Sequence, residues 1–312
     1  MGLRNLPIGV YGMVMGLAGL GLSARAAAPV LPGVVRAPAY FTELWVALGF
    51  VAFVVLLPLY LCKIFFYPEE VKREFTNPVT LGFCGALPVG MSLVAGGVAP
   101  YAPMLGHILW WASLALLVSF QAWALSRLLA GGIEVAQLNA GWLIVLLGGI
   151  VVPGPGISLG EAEAARFAYG VSASIGPVLV ALLLYRAAFA PPLPEALRPS
   201  WFILLVPPTL IYANGVALYP AMAFLENLYF LALVLAASLM FYSRHFFKWN
   251  FGAAWWAFTF PLDALAYAAA RYAQDHPSPL AQAATAATLL AATLAVLIVL
   301  WKTLRSAAWR RE

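Results

Sequence analysis

The sequence predicts an all-α integral membrane protein, a bundle of ten transmembrane helices arranged as five successive hairpins about a central axis. Three observations predict it. Of the 312 residues, 64% are hydrophobic and only 9% charged. A soluble domain carries about 25% charged residues, so polar surface is too scarce here to coat a water-facing globule. Apolar runs of about 20 residues, the length of a helical bilayer span, recur along the whole chain, and mean hydropathy is +0.91. Runs such as Ala283–Leu300 are rich in Ala and Leu without alternation, whereas a membrane β-barrel needs segments of about ten residues with alternating hydrophobicity.

The first apolar segment covers Leu6–Ala24. Arg4, the run from Ile8 to Leu22 and the small residues Ala24–Ala28 together imitate a secretory signal peptide. The run holds Gly9, Gly12, Gly16, Gly19 and Gly21, more glycine than a bulky signal core needs, and the segment is read as a retained span. Further segments are expected at Tyr40–Phe66, Val79–Ala95, Pro103–Leu129, Ala140–Val152 and Ala164–Ala187, then at Trp201–Leu218, Ala221–Phe246, Phe251–Tyr272 and Leu280–Leu304. The fifth is short and ends on Pro153-Gly154-Pro155-Gly156. Short connections after the third and seventh segments, and longer even-numbered segments, give the hairpin reading. The polar stretches Lys63–Pro78 and Ala188–Ser200 are connectors, so residues 1–312 form a single transmembrane domain.

Loop charge orients the bundle. With ten spans, 13 of the 17 Lys and Arg residues fall on the side of the N-terminus, and only Arg25, Arg36, Arg166 and Arg271 on the other. Cytoplasmic loops carry the excess of basic residues, so both termini are expected in the cytoplasm of a multi-pass protein of the cell membrane, such as a bacterial inner membrane. The net charge of +5 is thereby explained by topology, and no nucleic-acid partner is expected.

Enzyme signatures are absent. His107, His245 and His276 are scattered, which provides neither a haem pair nor a zinc cluster. A Gly-rich phosphate loop with Lys is missing. Cys62 and Cys84 stand alone in apolar segments and are read as small buried hydrophobes. No cofactor or bound metal is expected, and passive or secondary transport is favoured over catalysis.

Helix breakers gather in the odd segments: Pro88 in the third, Pro207 and Pro208 in the seventh, Pro261 in the ninth. Proline inside a span is expected to kink it and free a carbonyl, which is tolerated beside a water-filled cavity. Pro58 and Pro177 show that even segments carry prolines too. Gly12 and Gly16 form a GxxxG step that fits either close helix packing or a smooth pore wall. In the ninth segment, Trp255-Trp256-Ala257-Phe258-Thr259-Phe260-Pro261-Leu262-Asp263 places an aromatic at a mid-membrane proline, where it serves either as packing or as a hydrophobic gate. Asp263 is the clearest charge within a span, with Glu226 nearer a helix end and His107 and Gln121 as polar companions in the fourth. An acid at mid-span costs about 2.5–3.5 kcal/mol on insertion scales. Asp263 should therefore face the interior, as a coupling acid or a structural one.

Four stretches carry a resemblance to a known family. They are Leu6-Pro7-Ile8-Gly9-Val10-Tyr11-Gly12 with Gly16-Leu17-Ala18; Tyr67-Pro68-Glu69-Glu70-Val71-Lys72-Arg73-Glu74-Phe75 with Asn77-Pro78-Val79; Gly131-Gly132; and Trp256-Ala257-Phe258-Thr259-Phe260-Pro261. The chain resembles the tellurite-resistance/dicarboxylate transporter family, which includes bacterial TehA and the plant slow anion channels. The resemblance implies five tandem hairpins, odd helices lining a central pore, and a homotrimer in the lipid bilayer with one pore per protomer. It implies that Phe260 is the occluding gate and Gly12 the small residue facing it; the glycine and proline pattern of the odd segments adds Gly16, Pro88, Pro207 and Pro261 as pore-lining candidates. The function implied is a channel for small monovalent anions, chloride- or nitrate-like. The alternative is a proton-coupled carrier of a C4-dicarboxylate or an oxyanion such as tellurite, using Asp263. Asp263 departs from the family pattern, because a carboxylate facing the lumen repels anions.

Overall fold

A computed structural model describes residues 2–33, 37–244 and 250–309. Of the sequence readings, Arg36, His245, Lys248, Arg310, Arg311 and the end of the eighth segment lie outside the described residues. The described residues are mostly helical, with no strand among them. The long helices are α1 (Ile8–Ala27), α2 (Ala39–Phe66), α3 (Pro78–Val98), α4 (Pro103–Leu129), α5 (Gly141–Ser158), α6 (Ala162–Phe189) and α7 (Glu195–Leu218). Then come α8 (Glu226–Tyr242), α9 (Thr259–Asp275, led in by a 3-10 stretch at Ala253–Phe258) and α10 (Pro279–Trp309). A short polar helix, Pro68–Thr76, joins α2 to α3.

Among the described residues, eight helices are long and apolar enough to cross a membrane: α1 to α7 and α10. The helix α8 is apolar but has only 17 residues, and α9 is diluted by Asp263, Arg271 and Asp275. Burial separates two classes. In the most apolar stretch of α1, α3, α5 and α7, 67%, 89%, 83% and 94% of the residues are buried, against 33% in each of α2, α4, α6 and α10. The odd helices are therefore the inner wall and the even ones the outer.

Packing follows the same division. Each odd helix lies against the helix that follows it, and the inner helices touch in the order α1–α3–α5–α7–α9, with α9 closing back onto α1. Small residues permit the closest approaches. A Cβ placed on Gly16 would meet the side chain of Thr259 on α9, and one on Gly49 would fall 2.8 Å from the Ala18 backbone nitrogen. Contact this close without bulky side chains is how helices associate in lipid, where apolar burial between helices brings no hydrophobic gain.

The prolines lie inside the odd helices as expected, at changes of backbone type. Pro88, Pro207, Pro208 and Pro261 each fall in the first turn of an α-helical stretch that follows 3-10 backbone. These residues mark where 3-10 backbone becomes α-helix within a continuous helix. The fifth segment is corrected for the same reason. Pro153 opens a new α-helical turn after the 3-10 turn Gly148–Ile150, so the helix continues to Ser158 instead of ending at Val152. Cys84 is buried as expected, but Cys62 is exposed on the outer face of α2. Gly131 and Gly132, between α4 and α5, take φ of 73° and 76°, a left-handed pair that side chains would strain.

Candidate functional site

The five inner helices enclose two cavities, and every one of them contributes to both walls. The first has a volume of about 210 Å³ and is walled by Gly12, Phe83, Leu147, Val206, Trp256 and other apolar groups. Its polar members are Thr80 and Glu74. The Glu74 carboxylate accepts from Lys63 Nζ at 2.7 Å and from the Tyr60 hydroxyl at 2.7 Å, and Lys63 also donates to the Leu6 carbonyl at 2.8 Å. The charge on this wall is thus paired in place.

The second cavity, of about 500 Å³, is more polar, with Arg25, His107, Asn214 and Tyr267 on its wall. Arg25 Nη2 reaches both Glu43 carboxylate oxygens at 3.1 and 3.2 Å, and its Nη1 donates to the Gly96 carbonyl at 3.3 Å. The ring nitrogens of His107 lie 2.9 Å from the Pro103 carbonyl and 3.0 Å from that of Leu159. Glu161 is 3.7 Å from the same imidazole.

Two residues belong to both walls: Phe260 on α9 and Val151 on α5. Phe260 is 5% exposed and Val151 4%, so between them they leave little free surface where the cavities meet. The wall that α9 presents is one helical face, Ala257, Phe260, Pro261, Ala264 and Tyr267, spaced by three and four residues. Phe260 follows directly on the 3-10 to α transition at Phe258–Thr259.

The other sequence candidates divide. Gly12 and Pro261 line the first cavity, whereas Gly16, Pro88 and Pro207 line neither. A Cβ on Gly12 would meet Trp256 at 3.4 Å; the α1 residue against the Phe260 ring is Gly19, where a Cβ would fall 2.9 Å from a ring carbon. Asp263 has no exposed surface and lies on neither wall. Its carboxylate faces Gly19 without a hydrogen-bond partner, while Arg271 on the same helix pairs instead with Asp275 at 3.4 Å. Among the described residues, no His, Cys, Asp and Glu cluster could hold a metal. Val151, Asn214 and Arg25 were not singled out as wall residues by sequence. Tyr267 was legible in principle, as the next member of the α9 stripe that holds Phe260.

Five inner helices thus surround two cavities that share Phe260 and Val151 on their walls. The SLAC1 family model, described as voltage-dependent anion channel, matches residues 5–304. The chain belongs to this family. The S-type anion channel SLAH3 of Arabidopsis thaliana is 26% identical over 311 residues, 97% of this chain and 48% of that protein. Guard cell S-type anion channel SLAC1 of the same plant is 25% identical, across 88% of this chain and 51% of its own length. The tellurite resistance protein TehA homolog of Haemophilus influenzae is 25% identical over 128 residues, 41% of this chain and 38% of that protein. The chain spans about half the length of the plant relatives it matches. The resemblance read from the four sequence stretches is borne out by these matches.

Proposed function

We propose that the protein is a passive channel for small monovalent anions, chloride- or nitrate-like, with Phe260 as its gate. In this reading α1 to α10 all cross the cell membrane as five hairpins of a single domain, with both termini cytoplasmic. Three copies assemble, each with its own pore. The observation that carries the reading is the position of Phe260: its side chain, like that of Val151, lines both of the cavities built from the same five helices. An aromatic ring in a narrow apolar passage blocks ions by excluding the water they travel with. The even helices present their apolar outer faces to lipid, and nothing in the wall resembles a catalytic constellation.

The coupled-carrier alternative requires an acid that meets the transported species or its proton. Asp263 is sealed between α1 and α9, off both cavity walls, which favours the passive reading. Phe260→Ala, reconstituted in liposomes or expressed in oocytes, is expected to conduct anions far above the parent. Its current should reverse near the anion equilibrium potential and should not saturate at millimolar anion. A Phe260→Ala protein that inserts correctly and stays silent would falsify the gate. Flux that saturates, depends on a pH gradient and is abolished by Asp263→Asn would replace the channel with the carrier.

A further inference from the structure

The two cavities differ in a way that the gate does not explain. On one side Phe260 is approached through apolar walls. On the other, two hydrogen-bonding side chains stand in the cavity that Phe260 closes. Asn214, on α7, is 2% exposed. Its amide donates to the Ile150 carbonyl at 2.7 Å, which fixes the orientation of the side chain and leaves its second amide hydrogen for the cavity. Tyr267, two turns beyond Phe260 on the same face of α9, donates its hydroxyl to Asn214 Oδ1 at a long 3.4 Å, a bond weak enough to give up. Both line the 500 Å³ cavity. Gly154, on α5, keeps the space in front of them open: a Cβ there would fall 3.6 Å from Asn214 Oδ1 and 3.8 Å from the Tyr267 hydroxyl.

Building on the pore reading, we propose that Asn214 and Tyr267 are the residues at which a permeating anion exchanges water for protein donors, and that they set which anions pass. Any ion crossing between Phe260 and Val151 must shed most of its hydration, because that passage is apolar. Conduction needs sites that replace hydration well enough to admit the ion but weakly enough to release it. Neutral N–H and O–H donors meet that demand, since hydrogen bonds to a charged acceptor are strong without the full attraction of an ion pair. Arg25, by contrast, is already engaged with Glu43. The donors compensate most for small, strongly hydrated anions such as chloride and least for large, weakly hydrated ones such as thiocyanate. Removing them therefore tilts the pore toward the weakly hydrated ion.

The test uses the Phe260→Ala channel and reads thiocyanate-to-chloride permeability from reversal potentials. Tyr267→Phe removes one oxygen and keeps the ring. Gly154→Ala places a methyl group before both donors at ordinary contact distance. Asn214 is left intact, because its amide holds the Ile150 carbonyl beside Val151 and its loss would disturb α5. Both variants are expected to raise the ratio about three- to tenfold, the effect of roughly one net hydrogen bond. An unchanged or lowered ratio in Tyr267→Phe, with robust current, overturns the inference and leaves the pore reading standing. A correctly inserted Phe260→Ala channel that carries no current overturns both.

Discussion

Lys63 offers the sharpest test of how charge is managed along the proposed pore. It is 2% exposed at the end of α2, and Glu74, 14% exposed, lies on the wall of the first cavity. Lys63→Met keeps most of the stem and removes the ammonium. Breaking a buried pair by deleting one partner costs about 3–5 kcal/mol. Here Glu74 retains the Tyr60 hydroxyl at 2.7 Å and borders a cavity water can enter, so a loss of about 2–3 kcal/mol is expected. The effect on permeation is separate. An unpaired carboxylate on that wall repels a monovalent anion in the cavity, by about 2 kcal/mol for charges about 8 Å apart at an effective dielectric of about 20. Salt in the cavity reduces this to about 1 kcal/mol, or about fivefold in local anion concentration. The assay is anion conductance in the Phe260→Ala background, with thermal unfolding in detergent recorded for the same preparations. Lys63→Met should lower conductance several-fold, more at low ionic strength, and Glu74→Gln in the same chain should restore it. Unchanged conductance in Lys63→Met, or no recovery in the double variant, would show that the pair has no electrostatic role in the pore.

Two further predictions concern the scaffold. Gln121 Nε2 donates to the Leu146 carbonyl at 3.0 Å and to Ser172 Oγ at 2.9 Å, joining α4, α5 and α6 where α5 passes into its 3-10 turn. Gln121→Leu strands both acceptors and should cost about 1–3 kcal/mol, read as a lower unfolding midpoint; an unaltered midpoint would remove Gln121 from the framework. At the N-terminus, Arg4 reaches Glu70 at 2.7 Å, and that hydrogen bond, more than the charges of Arg73 and Arg4, holds the Glu70 carboxyl below its ordinary value of 4.5. A lowered folded-state value stabilises above the unfolded one and is lost as pH falls through the folded one. The amides of Asn5 and Leu6 should therefore lose hydrogen-exchange protection in acid, below the usual glutamate range, after correction for intrinsic rates. Glu70→Gln should remove that dependence, and protection that is flat with pH in the parent would refute the latch.

The helical membrane architecture was legible because it rests on local composition. Apolar length predicts spans with little help from tertiary context, since a helix satisfies its own backbone in lipid. The division into inner and outer helices was legible only in outline, through the glycines and prolines of the odd segments. What was not legible was the form that the break takes at each proline. A proline reads as a kink when the backbone before it is taken as α-helical, but 3-10 backbone precedes Pro88, Pro207 and Pro261. Each therefore opens a helical stretch, and Pro153 likewise extends the fifth helix beyond the point at which it reads as ending.

The site divides along the same line between local and collective properties. Phe260 stood out beside a mid-span proline, yet by sequence alone it was one phenylalanine among 19, and only the family resemblance gave a reason to prefer it. Val151 carries no local mark at all. It joins Phe260 on both cavity walls only through its place in the folded bundle, just after the 3-10 turn Gly148–Ile150. Asp263 shows the converse. Insertion cost correctly places a mid-span acid in the protein interior, but interior has two meanings in a hollow bundle, the lumen and the seam between helices. The absence of a side chain on Gly19 makes room for the carboxylate and for the Phe260 ring together. The acid therefore sits in the seam between α1 and α9, off both cavity walls, and in the channel reading a charge that would oppose anion passage is kept out of the lumen.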